Sequence, residues 1–377
     1  MRRVPEELEI ARRAMAIAYA PLKLLPTRLN KVVMLSRQEN STPFEFEMIR
    51  NELTSRHPEV EVVEISQRLE EGVWAKTEFF FALWRSLYHL ATSKVCVLDS
   101  YWPAVSALEH KADLVVFQMW HSMGKIKQSG KKTVGKEGGR KRSVARIMRI
   151  HDGYDYVIAG GSAWNQFYRE SFGVSDAAIL NIGLPRADCL VNDREEIADR
   201  IYAKYPELRE GPVVLYAPTF RRGQGSASAA RRVVSRLGPA GFKVIVRGHA
   251  NQPLLASSEG HWSCPEFRPL ELLTVADFLV TDYSAIAVEG ALAGVPTFYY
   301  VYDLPQYKKT TGLNIDLEKE LPGLTYRSTA GLLRAMNKPY PSEVFETYRS
   351  KYLFDDPGHS TADLVCALEE KGGLCTP

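Results

Sequence analysis

The feature that most restricts the fold is a repeated alternation. Short runs rich in Val, Ile, Leu, Phe and Tyr are separated by longer stretches whose apolar residues recur at helical spacing. That order of elements is the signature of helices layered on a largely parallel sheet. Strands are expected at residues 31–36, 60–65, 95–98, 114–119, 156–159 and 179–182, with helices at 44–55, 77–91, 140–149 and 163–171. The cycle then restarts. Strands at 213–216, 243–247, 278–281 and 297–300 alternate with helices near 229–237, 270–275 and 285–293. A length of 377 residues suits two such α/β units of Rossmann-like type. The expected organisation is an N-terminal segment over 1–30, one unit over 31–190, a second over 191–340, and C-terminal helices over 341–377 that pack back across the junction. The small, polar stretch 223–230, GQGSASAA, reads as a mobile loop. No internal repeat marks a solenoid.

Composition removes several classes. Forty-eight Lys and Arg against forty-five Asp and Glu leave a net charge of +3, too near neutrality for the total to imply nucleic-acid binding. Five cysteines (Cys96, Cys189, Cys264, Cys366 and Cys375) are scattered without a C-x-x-C pair, which fits a reducing cytoplasm better than a zinc knuckle or a disulfide framework. No run reaches the ~18–20 apolar residues needed to cross a bilayer, and the N-terminus carries no signal-peptide cleavage pattern. Residues 1–31 nonetheless set Arg2, Arg3, Arg12, Arg13, Lys23, Arg28 and Lys31 among Leu8, Ile10, Met15, Ile17, Tyr19, Leu22, Leu24 and Leu25. Such a basic amphipathic segment reads equally as a helix lying on an anionic cytoplasmic leaflet or as a surface helix packed on the protein's own core.

Four stretches place reactive side chains just past a strand, where open α/β sheets hold their ligands. The first, QMWHSMGKIKQSG from Gln118, sets His121 at a strand-to-loop junction. It opens a basic block in which Lys125, Lys127, Lys131, Lys132, Lys136, Arg140, Lys141, Arg142, Arg146 and Arg149 face one acid, Glu137. Solvated faces mix signs, so this surplus points to a polyanionic partner. The block lacks the interleaved aromatics of base stacking, and nucleic acid is not expected. The second stretch, YAPTFRR, offers Thr219, Arg221 and Arg222 to phosphate oxygens. The third, VIVRGHAN, ends its strand with Arg247, Gly248 and His249. Two strand-end histidines in different halves suit one proton-transfer group and one phosphate contact across a cleft. In the fourth, VTDYSAIAVEGALAGVP, Asp282 or Ser284 is expected to cap a helix whose free amides suit an anion, with Glu289 placed for a ribose diol.

Taken in order, WHSMGKIKQSG, YAPTFRR, RGHAN, TDYSAIAVEGALAGVP and YVYDLPQYKKTTGLNID resemble the CDP-glycerol glycerophosphotransferases of teichoic-acid synthesis, over roughly residues 30–365. The resemblance implies a GT-B fold: two Rossmann-like domains facing a cleft, the first for the acceptor and the second for a CDP-activated polyol phosphate. It implies that His121 is the general base and that His249 serves the donor diphosphate. Lys125, Thr219, Arg221, Arg247, Gly248, Thr281, Asp282, Tyr283, Ser284 and Glu289 are the remaining substrate-binding candidates. Three positions depart from the family pattern: Ser122, Ala250 and Ala285 stand where glycine, proline and serine are frequent. The implied reaction moves glycerol phosphate from CDP-glycerol to a hydroxyl of a lipid-linked glycan or polymer and releases CMP. The implied location is cytoplasmic, peripheral on the inner face of the membrane. No Asp-x-Asp pair or His-rich cluster requires a metal, although Mg²⁺ carried by the nucleotide is compatible. Three alternatives stand beside this reading: CDP-ribitol or another CDP-alcohol as donor, a glycosyltransferase using a nucleotide sugar, and a non-catalytic scaffold on an anionic membrane or polymer.

Overall fold

The computed structural model describes residues 3–70, 73–219, 221, 225–248, 255 and 261–374. The chain divides into two compact units. One comprises residues 1–123, 128–186 and 359–377; the other comprises residues 124–127 and 187–358.

In the first unit six parallel strands run in the order β2-β1-β3-β4-β5-β6, where β1 is Arg28–Ser36, β2 Glu61–Ser66, β3 Ser93–Leu98, β4 Val115–Gln118, β5 Tyr156–Ile158 and β6 Ile179–Leu180. Val32 to Leu35 and Val95 to Leu98 are wholly buried, as expected where helices cover both faces of a sheet. This is why these strands read as continuous apolar runs. The chain leaves β1 towards β2 on one side and returns to β3 on the other, so the sheet's switch point lies between β1 and β3.

Helix α1 (Arg3–Leu22) packs on α3 (Val73–Thr92) and on the helix Arg142–Ile147, while α2 (Phe44–Arg56) packs on the last helix, Ser360–Glu370. Met15 and Tyr19 are the inward residues of α1, and the Tyr19 hydroxyl lies 2.8 Å from His110 Nδ1. Its outward face is apolar too. Ile10 and Ile17, spaced by seven, are 67% and 75% exposed, Leu24 in the turn after the helix is 87% exposed, and on α3 Trp74 and Phe81 repeat the spacing at 83% and 66%. The last helix is tied to α2 by His57 Nε2 and Glu369 Oε1 at 2.6 Å.

The second unit holds five parallel strands in the order β11-β10-β9-β7-β8: β7 Val213–Tyr216, β8 Lys243–Val246, β9 Phe278–Thr281, β10 Thr297–Tyr300 and β11 Thr325–Tyr326. Its switch point lies between β7 and β9. The two-residue β11 was not anticipated, being too short to stand out as an apolar run. The stretch expected to be a mobile loop is instead helical from its third residue, as the start of Gly225–Leu237. Ser226, Ala229 and Ala230 are buried there, and their small side chains let that helix approach the helix Thr329–Met336. Only a turn of 3₁₀ helix, Glu271–Thr274, occupies the segment read as a helix at 270–275. Gly290 permits a similar close approach: a Cβ there would lie 2.6 Å from Leu279 Cδ2, so the helix Ile286–Leu292 rests directly on β9.

Candidate active site at two strand switch points

Where β1 and β3 end, side chains continue the stitching that the ladder began. Ser36 Oγ lies 2.5 Å from Asp99 Oδ2 and accepts the Gln38 amide at 3.1 Å, while the Arg37 amide donates to Ser100 Oγ at 2.9 Å. His121 arrives from the neighbouring strand, β4. Trp120 takes the left-handed backbone conformation, φ 59°, and its amide donates to Gln118 Oε1 at 2.8 Å. For a residue with a bulky side chain that conformation is strained. It is held because the indole is enclosed by His121 (ring centroids 4.1 Å apart), Phe172 (5.2 Å) and His151 (5.7 Å). The turn sets His121 Nδ1 3.1 Å from the Asp99 carbonyl and 3.1 Å from the end of the Gln38 amide. A carbonyl can only accept, so the tautomer that bonds Asp99 carries its proton on Nδ1; Gln38, placed with Nε2 towards the ring, then has to turn its amide over to offer the oxygen. In that tautomer Nε2 is the basic nitrogen, as a general base requires.

The Asp99 carboxyl beneath this imidazole is buried, and Oδ1 has no hydrogen-bond partner. Burial pushes its pKa up to about 7, against the pull of hydrogen bonds from Ser36 and Ser100; Glu45 adds to the rise and Arg186 opposes it. After His121 the chain is pinned again. The Tyr168 hydroxyl donates to the Ser122 carbonyl at 2.7 Å, and the Gly160 amide to the Met123 carbonyl at 3.1 Å.

The second unit's switch point is built differently. Asp282, just past β9, accepts the Thr219 amide at 2.8 Å and its neighbour Tyr283's amide at 2.5 Å on Oδ1, and Arg221 Nη1 at 2.6 Å on Oδ2. Arg221 also donates to both oxygens of Asp303, at 2.6 and 3.0 Å, and to the Thr219 carbonyl at 3.0 Å. Tyr283 donates to Asp303 Oδ1 at 3.1 Å and stacks on Tyr307 with centroids 4.0 Å apart. Burial works against the Arg221 charge, but Asp282 and Asp303 outweigh it and raise its pKa. Arg221, expected at a phosphate, is thus placed as a brace between the strand ends, and the Thr281 hydroxyl adds a bond to the Ala217 carbonyl at 2.7 Å. The helix Ile286–Leu292 starts after Ala285 with no side-chain cap, since the oxygens of Asp282 are engaged elsewhere. Glu289 is buried within it.

Thr219 is buried with its hydroxyl unpartnered, and Ser284 is half-buried beside Tyr283. Arg247 follows β8, its amide bound to the Tyr216 carbonyl at 2.9 Å and its Nη1 to the Ser263 carbonyl at 3.1 Å; burial lowers its pKa. Gly248 is half-buried. His249, Arg222 and Ala250 lie outside the described residues. Lys125 belongs to the short segment of residues 124–127 that joins this unit. The Asn314 side chain donates to the carbonyls of Lys125 (2.7 Å) and Lys127 (3.3 Å), and the Asn314 amide to that of Ile126 (2.9 Å). Lys125 is buried, which holds its pKa well below the ordinary lysine range, with Lys127 adding to the effect.

Thr219, Arg221, Thr281, Asp282 and Tyr283 therefore converge at one switch point, and His121 stands at the other. Sequence reasoning missed Gln38 and Asp99 beside His121, and gave Asp303 and Tyr307 no role beyond the stretch that contains them. Each of Gln38, Asp99 and Asp303 lies within three residues of a strand end, the same signal that selected His121. Among the described residues no three His, Cys, Asp or Glu side chains are grouped to hold a metal ion.

The comparisons agree with this architecture. The solved structure of the wall teichoic acid polymerase TagF matches with a TM-score of 0.72, covering 97% of this chain and 95% of that one at 18% identity, a likeness of fold. The teichoic acid ribitol-phosphate primase of Bacillus spizizenii is 26% identical over 366 residues, spanning 93% of this chain and 94% of that protein. The teichoic acid glycerol-phosphate primase of Bacillus subtilis is 24% identical over 294 residues, 76% of each. Matching that family's sequence profile over residues 17–367, the chain belongs to the CDP-glycerol:poly(glycerophosphate) glycerophosphotransferases.

Proposed function

We propose that the chain transfers a polyol phosphate from a CDP-alcohol to a hydroxyl of a lipid-linked glycan or polymer in teichoic-acid-type wall synthesis, releasing CMP. The observation that carries this reading is the contact of His121 Nδ1 with the Asp99 carbonyl just past β3, which supports a tautomer with Nε2 as the base. In the reaction the acceptor oxygen attacks the phosphorus bearing the polyol, His121 Nε2 takes the hydroxyl proton, and the bond to CMP breaks with its electron pair leaving on the CMP oxygen. The second unit holds the donor through Thr219, Arg247, Gly248, His249, the turn Thr281 to Ser284, Glu289 and Lys125. Arg221 acts on that turn by bracing Asp282. Glycerol and ribitol are both admitted as the alcohol, because similar proteins carry both names. No resident metal is assigned, and Mg²⁺ arriving with the nucleotide is tested by chelation.

The test supplies CDP-glycerol, CDP-ribitol and UDP-sugars in turn, with a lipid-linked disaccharide acceptor. CMP released from a CDP-alcohol only when acceptor is present is the expected result. UDP release would favour a nucleotide-sugar transferase, and no release from any donor would favour a scaffold.

We also propose that the first unit rests on the anionic inner face of the membrane. The outward stripes of α1 and α3 support this, with Lys23 and the Glu9-paired Arg12 and Arg13 nearby. No described helix is long and apolar enough to cross a membrane. Ile17→Glu with Phe81→Glu should abolish co-sedimentation with phosphatidylglycerol vesicles; unchanged binding would overturn the idea.

A further inference from the structure

Next to the His121 anchor stand two cations that have no carboxylate among the described residues. Arg37 Nη1 donates to the Tyr101 carbonyl at 3.3 Å, its guanidinium lies 5.2 Å over the Phe79 ring and 6.0 Å over the Tyr101 ring, and its Nε is buried with no hydrogen-bond partner. Arg140 lies 5.6 Å over the same Tyr101 ring. Among the described residues neither has an acidic partner, whereas Arg149, from the same basic block as Arg140, is paired with Glu109 and Asp152. Burial lowers the pKa of Arg37, and the like charge of Arg140 adds to it. A desolvated guanidinium with a second cation beside it and no counter-ion is costly unless an anion completes the pair.

Position narrows the identity of that anion. Arg37 precedes Gln38, which touches His121, and its carbonyl partner Tyr101 is two residues from Asp99, which anchors the imidazole. Resting on the transferase reading, we propose that Arg37 and Arg140 form an anion subsite for the phosphodiester of the acceptor, the phosphate nearest the attacking hydroxyl. The subsite orients an acceptor that already carries phosphate, so that its terminal hydroxyl meets His121. It also gives one arginine of the basic block a defined partner.

The test is a binding titration of the full chain with glycerophosphoglycerol, a phosphodiester with glycerol hydroxyls at both ends, and with neutral triglycerol. The diester should bind about tenfold more tightly than triglycerol, and Arg37→Met and Arg140→Met should each remove about that factor. Arg140 is exposed, so its variant reports on the subsite independently of the packing around Arg37. Arg327→Met, on the surface of the other unit, should bind as the parent does. Equal binding of diester and triglycerol, variants that bind like the parent, or inorganic phosphate binding as tightly as the diester would each overturn the assignment. Diester binding as stated, with no CMP released from any CDP-alcohol, would leave the subsite standing and remove the transferase reading.

Discussion

The ends of β1 and β3 and the ends of β7 and β9 hold the same topological position in their sheets, yet their ion pairing differs. At the second, Arg221 is saturated by Asp282, Asp303 and the Thr219 carbonyl, and each carboxylate has donors on both oxygens. At the first, among the described residues, Asp99 has one oxygen unpartnered, Arg37 has no acid, and Trp120 sits in a strained conformation. The ion pairs around Arg221 fix the backbone geometry of those strand ends, while the buried Thr219 hydroxyl beside them stays unpartnered. An under-satisfied network keeps donors and acceptors for a substrate and for proton movement. Two ends that share a topological position thus differ in ion pairing, and the proposed assignment of the first to the base and the second to the donor rests on that difference.

Substitutions can break this contrast, in descending order of effect on stability. Arg221→Met leaves Asp282 buried without its cation and should lower unfolding stability by about 3–5 kcal/mol in urea. A loss below about 1 kcal/mol would show that the brace is not one. Asp99→Asn tests the other end through pH. The Asp99 carboxyl has an ordinary pKa of 3.8, and in the folded chain about 7. Between those values the folded state keeps a proton that the unfolded state has released, so stability falls as pH rises from about 4 to about 7, by up to about 4 kcal/mol, and this contribution is constant above that range. The amide variant should flatten that slope; an unchanged slope between pH 4.5 and 7.5 would mean that Asp99 does not titrate there. Asn314→Ala strips buried carbonyls of their donor and should cost about 1–3 kcal/mol, read as a shifted urea midpoint. Arg37→Met should change stability least, by no more than about 1 kcal/mol, because no acid loses a partner.

Much of the frame was legible because parallel strands are covered on both faces and read as unbroken apolar runs; Val213–Tyr216, Phe278–Thr281 and Thr297–Tyr300 occur where the runs place them. Residues 225–230 were misread because serine and alanine suit a loop and a tightly packed helix equally, and only the helix opposite decides between them. His121 was legible as a reactive side chain directly after a run. Asp99 and Arg37 were not, because their meaning depends on β1 lying beside β3, an order that no local pattern carries. Arg221 shows the same limit from the other direction. Its partners are 61 and 82 residues away, so nothing near it in the chain distinguishes a phosphate ligand from a brace.

The most direct measurement compares His121→Ala with the parent chain for both CMP release and CDP-alcohol affinity. On the proposed assignment of the base to His121 and of donor binding to the second unit, turnover should fall by about 10² to 10⁴ while donor affinity stays within about twofold. Near-parental turnover, or a loss of donor affinity as large as the loss of turnover, would contradict that division of labour.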